Sequence, residues 1–327
     1  MEQVILYSGA VIIGLALLAW SSDRFVDGAV GIAQSLGISP LVIGLTIVAF
    51  STSAPEMLVS ALSAWQGNNG IAIGNAVGSN IANMTLVLGV SALITPLVVG
   101  PQTLHRETPT LLLAMLFALL VLVWDDTLSR LDGVLLMAAM IIIIWLTIYL
   151  ARKELTNKNQ LPKTAESVVA EQKISLQVIW LLISGLIVLL ASAKLLVWGA
   201  VGIAQAFGVS DLVIGLTIVA VGTSLPELAA SISAIKKGEH DMAVGNVIGS
   251  SVFNILAVLG IVGIVGPNPF NGDVLVRDYP LMLALVVIFY LCTRRCVGSQ
   301  TFTIQRWVGG GLLLFFFVYQ GIILFGG

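Results

Sequence analysis

Charge is what this chain has least of. Asp, Glu, Lys and Arg make up 10% of its 327 residues, whereas a soluble domain carries roughly 25%. With 58% hydrophobic residues and a mean hydropathy of +1.04, the composition excludes soluble enzyme folds and leaves the polytopic helical membrane class. Basic residues are scarce too. Fifteen Lys and Arg stand against 17 Asp and Glu, a formal net charge of −2, and no basic face exists to hold a phosphate backbone, so nucleic acid is not an expected partner. The two histidines, His105 and His240, sit at the ends of apolar stretches beside Arg106 or Glu239 and Asp241, where they read as solvated loop residues. Without a histidine at membrane depth the many serines have no base, and no H-E-x-x-H is present, so the chain is not expected to be an enzyme and no cofactor is expected. The two cysteines, Cys292 and Cys296, are too few for a disulfide framework and read as the fraying end of a span.

Apolar sequence is abundant, in pieces close to the ~20 residues a helix needs to cross the hydrocarbon core. Ten spans are expected, near residues 4–20, 40–64, 71–99, 109–124, 131–150, 176–200, 211–235, 242–266, 279–293 and 305–325. No basic segment precedes the first of them and no small-residue cleavage site follows, so it is expected to stay in the membrane. The polar stretch 151–174 reads as a cytoplasmic linker between halves at 1–150 and 175–327. If the N-terminus is outside, 12 of the 15 basic residues lie on the cytoplasmic side, leaving Arg130, Lys194 and Arg277 outside. Removing the linker's five still leaves seven against three, so both termini are expected outside. Asp125, Asp126, Asp132, Asp273 and Asp278 then gather on the outer side as ordinary solvated residues, and Trp20, Trp65, Trp124, Tyr7 and Tyr319 read as interfacial anchors.

The strongest feature is self-similarity. Gly28–Gly89 aligns without a gap onto Gly199–Gly260 at an offset of 171, with 33 of 62 positions identical. Identity is densest in LVIGLTIVA followed by FSTSAPE or VGTSLPE, and in GNAVGSNIAN against GNVIGSSVFN. Five spans separate equivalent positions, an odd number, so the copies must cross the membrane in opposite directions, as the inverted repeats of many secondary transporters do. The connection after the first motif, from Gln66 to Asn69, has no basic residue, whereas its counterpart carries Lys236 and Lys237, as a cytoplasmic loop would.

Within the second and seventh spans, Thr52, Ser53, Pro55 and Glu56 recur as Thr223, Ser224, Pro226 and Glu227. A carboxylate at the centre of a membrane helix costs roughly 2.5–3.5 kcal/mol on insertion scales, so each glutamate is expected to face protein or a wet cavity. No basic residue lies at matching depth, which leaves protons or metal cations to neutralise them. Thr52 and Glu56 are four apart, as are Thr223 and Glu227, so hydroxyl and carboxylate are expected on one helix face as hard oxygen ligands. The prolines free backbone carbonyls beside them. In the following spans Asn75, Ser79 and Asn83, and again Asn246, Ser250 and Asn254, form one polar stripe per helix, with Gly74, Gly78, Gly245 and Gly249 expected to allow close helix approach. The alternative use of each Ser and Asn is hydrogen bonding between helices.

The repeated AFSTSAPE with GNAVGSNIAN, and AVGTSLPE with GNVIGSSVFN, closely resemble the two α-repeats of the cation/calcium exchanger superfamily, in its bacterial sodium/calcium exchanger branch, over nearly the whole chain. The resemblance implies a multi-pass bacterial inner-membrane antiporter with Ca2+ and Na+ as transported partners. It implies Ca2+ held by Glu56 and Glu227 with backbone carbonyls near Thr52 and Thr223. It also implies Na+ held by oxygens of Ala49, Ser53, Ser79, Ala220, Ser224 and Ser250, with Asn83 and Asn254 completing the centre. Some relatives, including potassium-dependent ones, carry an aspartate where Asn254 stands, which lowers the expectation of potassium coupling. Proton-coupled calcium exchangers are less similar, since their repeats carry a glutamate soon after the GNA sequence, where this chain has Ala76, Val77 and Gly78.

Charge arithmetic adds a constraint. One Ca2+ balances two ionised glutamates, whereas three Na+ leave one positive charge, so three-for-one exchange would respond to voltage at ~2.3 kcal/mol per 100 mV. An empty centre would hold two uncompensated carboxylates at depth, which favours obligatory exchange over uniport. The glycine-bearing first and sixth spans, with Gly28, Gly31, Gly199 and Gly202, are candidate sliding surfaces. A Ca2+/H+ antiporter on the same scaffold remains an alternative, as does, less favoured, a gated channel, which usually repeats its filter around a central axis.

Overall fold

The computed structural model describes residues 2–67, 69–124, 127–159, 175–208, 220–269, 274–294 and 302–325. Within them the chain is almost entirely helical, as apolar sequence in lipid must be when every backbone polar group has to be satisfied inside its own segment. The first half runs α1 (Glu2–Leu36), α2 (Pro40–Thr52), α3 (Ala54–Trp65), α4 (Asn69–Ile94), α5 (Thr108–Val123) and α6 (Arg130–Asn159). The second runs α7 (Leu176–Ala206), α8 (Ala220–Thr223), α9 (Leu225–Lys236), α10 (His240–Val265), α11 (Tyr279–Arg294) and α12 (Arg306–Phe325). By length and composition eight of these helices can cross a membrane, and the bent pair α2–α3 makes a ninth. The seventh expected span, 211–235, begins in residues outside those described and continues as α8 and α9.

Several expectations are refined. The first helix is 35 residues, roughly 52 Å at 1.5 Å per residue, so its second half, with Asp23, Arg24 and Asp27, runs beyond the expected span at 4–20. Helix α6 continues to Asn159, so the start of the 151–174 stretch is helical. Two small antiparallel sheets were not foreseen: β1 (Leu97–Val99) pairs with β4 (Phe302–Ile304), and β2 (Thr127–Leu128) with β3 (Asn268–Pro269). Each joins one half to the other.

The duplication extends into local geometry. π-helical turns at Thr103–Glu107 and Val274–Asp278 are 171 residues apart, as are the Arg106–Glu107 and Arg277–Asp278 ion pairs that close them at 2.6 and 2.8 Å. Gly37 and Gly208 end their helices at φ 65° and 76°, and Gly67 and Gly238 at 79° and 80°, left-handed geometry that glycine adopts without strain. Asp278 is a correction to the solvated outer cluster: it is buried, accepting from Arg277 and from the Tyr319 hydroxyl at 3.1 Å. Tyr319 is therefore a buried partner instead of an interfacial anchor, whereas Trp65 and Trp124 are exposed. Asp125, Asp126, Asp273 and Cys296 lie outside the described residues.

Helices α4 and α10 form the interior, with 78% and 89% of their spanning windows buried, against 22% for α1 and α7. The glycines of α1 and α7 each face the opposite helix of this pair. A Cβ on Gly28 would meet the Leu182 backbone, one on Gly31 the Val178 side chain, one on Gly199 the Tyr7 carbonyl and one on Gly202 the Tyr7 ring. They set the close seam within this pair, and not the surface it turns to the other helices. Gly245 and Gly249 do permit close approach, to the carbonyls of Leu41 and Leu45 at 2.7 and 2.6 Å from a would-be Cβ. Gly74 and Gly78 meet no described residue; their partners by the repeat, 212 and 216, fall outside the described residues.

Candidate functional site: a buried pair of glutamates

Both motif helices break at a serine. Ser53 has φ −81° and ψ 2°, Ser224 φ −87° and ψ 3°, a sparsely populated backbone region common at functional sites. Pro55 and Pro226 follow as second residues of α3 and α9, where a missing N–H costs nothing. The first break bends its span by 43°. Each break turns a helix N-terminus toward the protein interior, and Glu56 and Glu227 occupy those first turns, where unpaired N–H groups favour negative charge. The two side chains are 0% and 1% exposed.

Both carboxyls lie wholly within the protein interior. Glu227 Oε1 accepts from Ser53 Oγ at 3.2 Å. Thr223 stands beside Glu56. A hydroxyl of the first half thus serves the carboxylate of the second. Thr52, expected to share a helix face with Glu56, is separated from it by the break at Ser53 and makes hydrogen bonds across to α10. Thr52 Oγ1 instead donates to Asn246 Oδ1 at 3.2 Å and lies 3.4 Å from Ser250 Oγ.

Asn75 and Asn246 have a role that the spacing did not show. Asn75 Nδ2 donates to the Glu56 carbonyl at 3.2 Å and to Ser60 Oγ at 2.9 Å; Asn246 Nδ2 donates to the Glu227 carbonyl at 3.2 Å and to Ser231 Oγ at 3.0 Å. These matched bonds hold the first turn of each broken helix. Ser60 and Ser231 went unremarked in the sequence, although a signal existed: between positions 57 and 71 only Ser60 and Gly67 are identical to their repeat counterparts.

Ser79, Asn83, Ser250 and Asn254 are all buried on α4 and α10. Asn83 and Asn254 open π-helical turns or lie within them. Ala49 is buried, its carbonyl accepting the Ser53 N–H at 3.0 Å, and Ser224 is buried with its hydroxyl unpartnered. For Ala220 only the helical backbone is described. Hydrogen bonds directly join Thr52, Ser53, Glu227, Asn246 and Ser250; none joins Ser79, Asn83 or Asn254 to them.

Neither oxygen of Glu56, nor Glu227 Oε2, nor either side-chain polar atom of Asn83 and Asn254, has a hydrogen-bond partner of good geometry. A buried polar atom left so costs about 1–3 kcal/mol, and a charged one more, so this set of oxygens suits a hard cation. Among the described residues no three His, Cys, Asp or Glu side chains gather. The centre is two carboxylates among neutral oxygens, without thiolate or imidazole, which disfavours zinc and other soft-ligand metals.

Comparison with known proteins is consistent with this chemistry. A family model described as sodium/calcium exchanger protein matches residues 6–149 and 177–325. The chain is 45% identical over 313 residues to CaxA of Alkalimonas amylolytica, a candidate antiporter, covering 96% of this chain and 97% of that protein. It is 38% identical over 302 residues to the inner membrane protein YrbG of Escherichia coli, with 89% and 90% covered. A solved structure of the sodium-calcium exchanger NCX_Mj, soaked with Na+ and Sr2+, superposes with a TM-score of 0.80 at 36% identity, covering 96% of this chain and 98% of that one.

Proposed function

Because the chain belongs to the sodium/calcium exchanger protein family, we propose that it is a secondary antiporter exchanging Na+ for Ca2+ by alternating access. In this reading ten spans form two inverted five-helix repeats, 1–150 and 175–327, joined by a cytoplasmic linker at 151–174, with both termini outside a bacterial inner membrane. The observation that carries it is the buried Glu56–Glu227 pair, whose free oxygens meet no Lys or Arg among the described residues. Metal cations or protons must neutralise such a centre, and in this reading a metal cation does so as the cargo. Glu56 and Glu227 hold Ca2+ between them. Thr52, Ser53, Ser79 and Asn83, with Thr223, Ser224, Ser250 and Asn254 and the carbonyls of Ala49 and Ala220, supply the neutral oxygens that Ca2+ and Na+ prefer. Relatives support the assignment of ions: NCX_Mj is named a sodium-calcium exchanger.

Two ionised carboxylates and no third, since residue 254 is an asparagine, make the Ca2+-loaded centre neutral. The Na+-loaded centre carries +1 if three ions enter. Transit of the empty centre, with two bare charges at depth, is disfavoured, so flux in one direction requires flux in the other.

A second reading has the same observation behind it, because unpartnered carboxylate oxygens also accept protons; it makes the protein a Ca2+/H+ antiporter. Uptake of 45Ca2+ into proteoliposomes separates the two. Uptake that requires internal Na+ over choline, and rises with an inside-positive potential under saturating internal Na+, supports the sodium reading. Uptake driven by a pH gradient alone replaces it with the proton reading, and absence of uptake under every gradient rejects calcium as cargo.

A further inference from the structure

The two repeats match bond for bond where Asn75 and Asn246 brace the broken helices, but one contact between α1 and α9 has no counterpart. Asp23 Oδ1 accepts from Ser233 Oγ at 2.6 Å, and Asp27 Oδ1 pairs with Lys237 Nζ at 2.7 Å. The aspartates are four apart on one face of α1, and their partners are four apart at the end of α9, so the two bonds close as a single clasp. Shifting each position by 171 residues brings Lys194 and Trp198 to face Leu62 and Gln66. No carboxylate is present there, so neither bond can form at the other end of the molecule.

We propose that Asp23, Asp27, Ser233 and Lys237 form a one-sided latch that holds the α1–α7 pair on α9 and biases the protein toward the conformation closed at that end. The inference rests on the alternating-access reading above. In a scaffold of two matched repeats the two end states are nearly equivalent, and only an element present in one repeat can make them unequal. Helix α9 carries Glu227 in its first turn and the clasp in its last, so opening this end of the site to water parts α1 from α9. By the distribution of basic residues this end is cytoplasmic. Arg24, the basic neighbour on α1, is turned away onto the Trp20 ring at 3.8 Å and does not compete for the aspartates. The Lys237 and Asp27 side chains are 28% and 52% exposed, so salt weakens the latch without abolishing it.

Two measurements on the full chain test it. The first, hydrogen–deuterium exchange in lipid nanodiscs, needs no transport. Asp27→Asn and Lys237→Gln are expected to speed exchange at the C-terminal half of α1 and the last turns of α9 by about two- to fivefold. The exchanged pair, Asp27→Lys with Lys237→Asp, is expected to restore protection. The second is the half-saturating Ca2+ for exchange in proteoliposomes, read separately from each face. In the single variants it is expected to rise at the outer face and fall at the inner face, more strongly at the inner because that state is the minor one. Unchanged protection in the single variants, a swapped pair no better than either single change, or affinities moving the same way on both faces overturns the latch. If wild-type protein carries no Ca2+ while protection still follows the charge pair, the transport reading has failed and the clasp has not.

Discussion

The inner helices α4 and α10 and the outer helices α1 and α7 are all apolar enough to cross a membrane, yet 78% and 89% of the inner pair's spanning windows are buried against 22% of each outer one. Apolarity therefore does not say which helix lies at the centre. What separates them is the polar stripe. Asn75, Ser79 and Asn83, and Asn246, Ser250 and Asn254, repeat at steps of four on the inner pair, and only contact with protein or ions can satisfy such side chains in lipid. The outer pair has glycines that fit it closely to itself. In the proposed reading one pair faces the ions, while the other packs together as a unit.

The largest effect that this contrast predicts is at the carboxylates facing the inner pair. Glu56→Gln or Glu227→Gln removes one of two charges from a site with no third, a loss of about 2–5 kcal/mol for a buried charged partner. Divalent-ion transport is expected to fall at least about 30-fold, with the protein still delivered to the membrane. Full 45Ca2+ transport by both variants would reject the site.

Next come the bracing amides. Asn246→Ala removes bonds to the Glu227 carbonyl and Ser231 and the acceptor used by Thr52. It also leaves buried groups unpaired, at about 1–3 kcal/mol each, and roughly a tenfold loss of Ca2+ affinity is expected. Asn75→Ala removes the bonds to the Glu56 carbonyl and Ser60 and is expected to cost a similar or smaller factor. Calcium affinity is read by isothermal titration; an unchanged value in both variants would show that the braces do not govern the site.

Packing separates the pairs again. Gly249→Ala drives a methyl into the Leu45 carbonyl and Ala49, and Gly185→Ala drives one into the Phe25 backbone. Overpacking of this kind costs about 1–3 kcal/mol, so both variants are expected to melt earlier. Gly249→Ala alone is expected to weaken Ca2+ binding too, since its neighbours include Ala49 next to the break at Ser53. Equal effects on binding would dissolve the distinction between a helix that holds ions and one that only packs.

Much of this was legible in the residues. The repeat, the helical class, the breaks at the prolines and the burial of both glutamates follow from spacing and from the cost of charge in lipid. The pairing across the halves was not legible. Thr52 and Glu56 are four apart in sequence, but the helix is broken between them at Ser53, with ψ near zero, and the Thr52 hydroxyl bonds to Asn246 of the other half. Nor do the burial of Asp278 under Tyr319 and the Asp27–Lys237 contact show in the sequence, because they join segments 41 and 210 residues apart and carry no local period. Ser60 and Ser231 mark the boundary between the two cases. Their identity stands out in a stretch that otherwise diverged, but its reason, a hydroxyl receiving the bracing amide, needs the neighbouring helix.

The smallest predicted effect tests whether the halves are equivalent where they carry no ions. Gly67 and Gly238 end α3 and α9 at φ 79° and 80°, and a would-be Cβ on either meets nothing within 4 Å. Substitution by alanine therefore adds no collision and costs only the left-handed backbone, about 1 kcal/mol. Gly67→Ala and Gly238→Ala are expected to lower the melting temperature slightly and by the same amount, with Ca2+ affinity unchanged. A larger effect at Gly238 alone would have a definite cause: Gly238 directly follows Lys237, so strain there is transmitted to the clasp with Asp27, whereas Gln66 before Gly67 holds nothing equivalent.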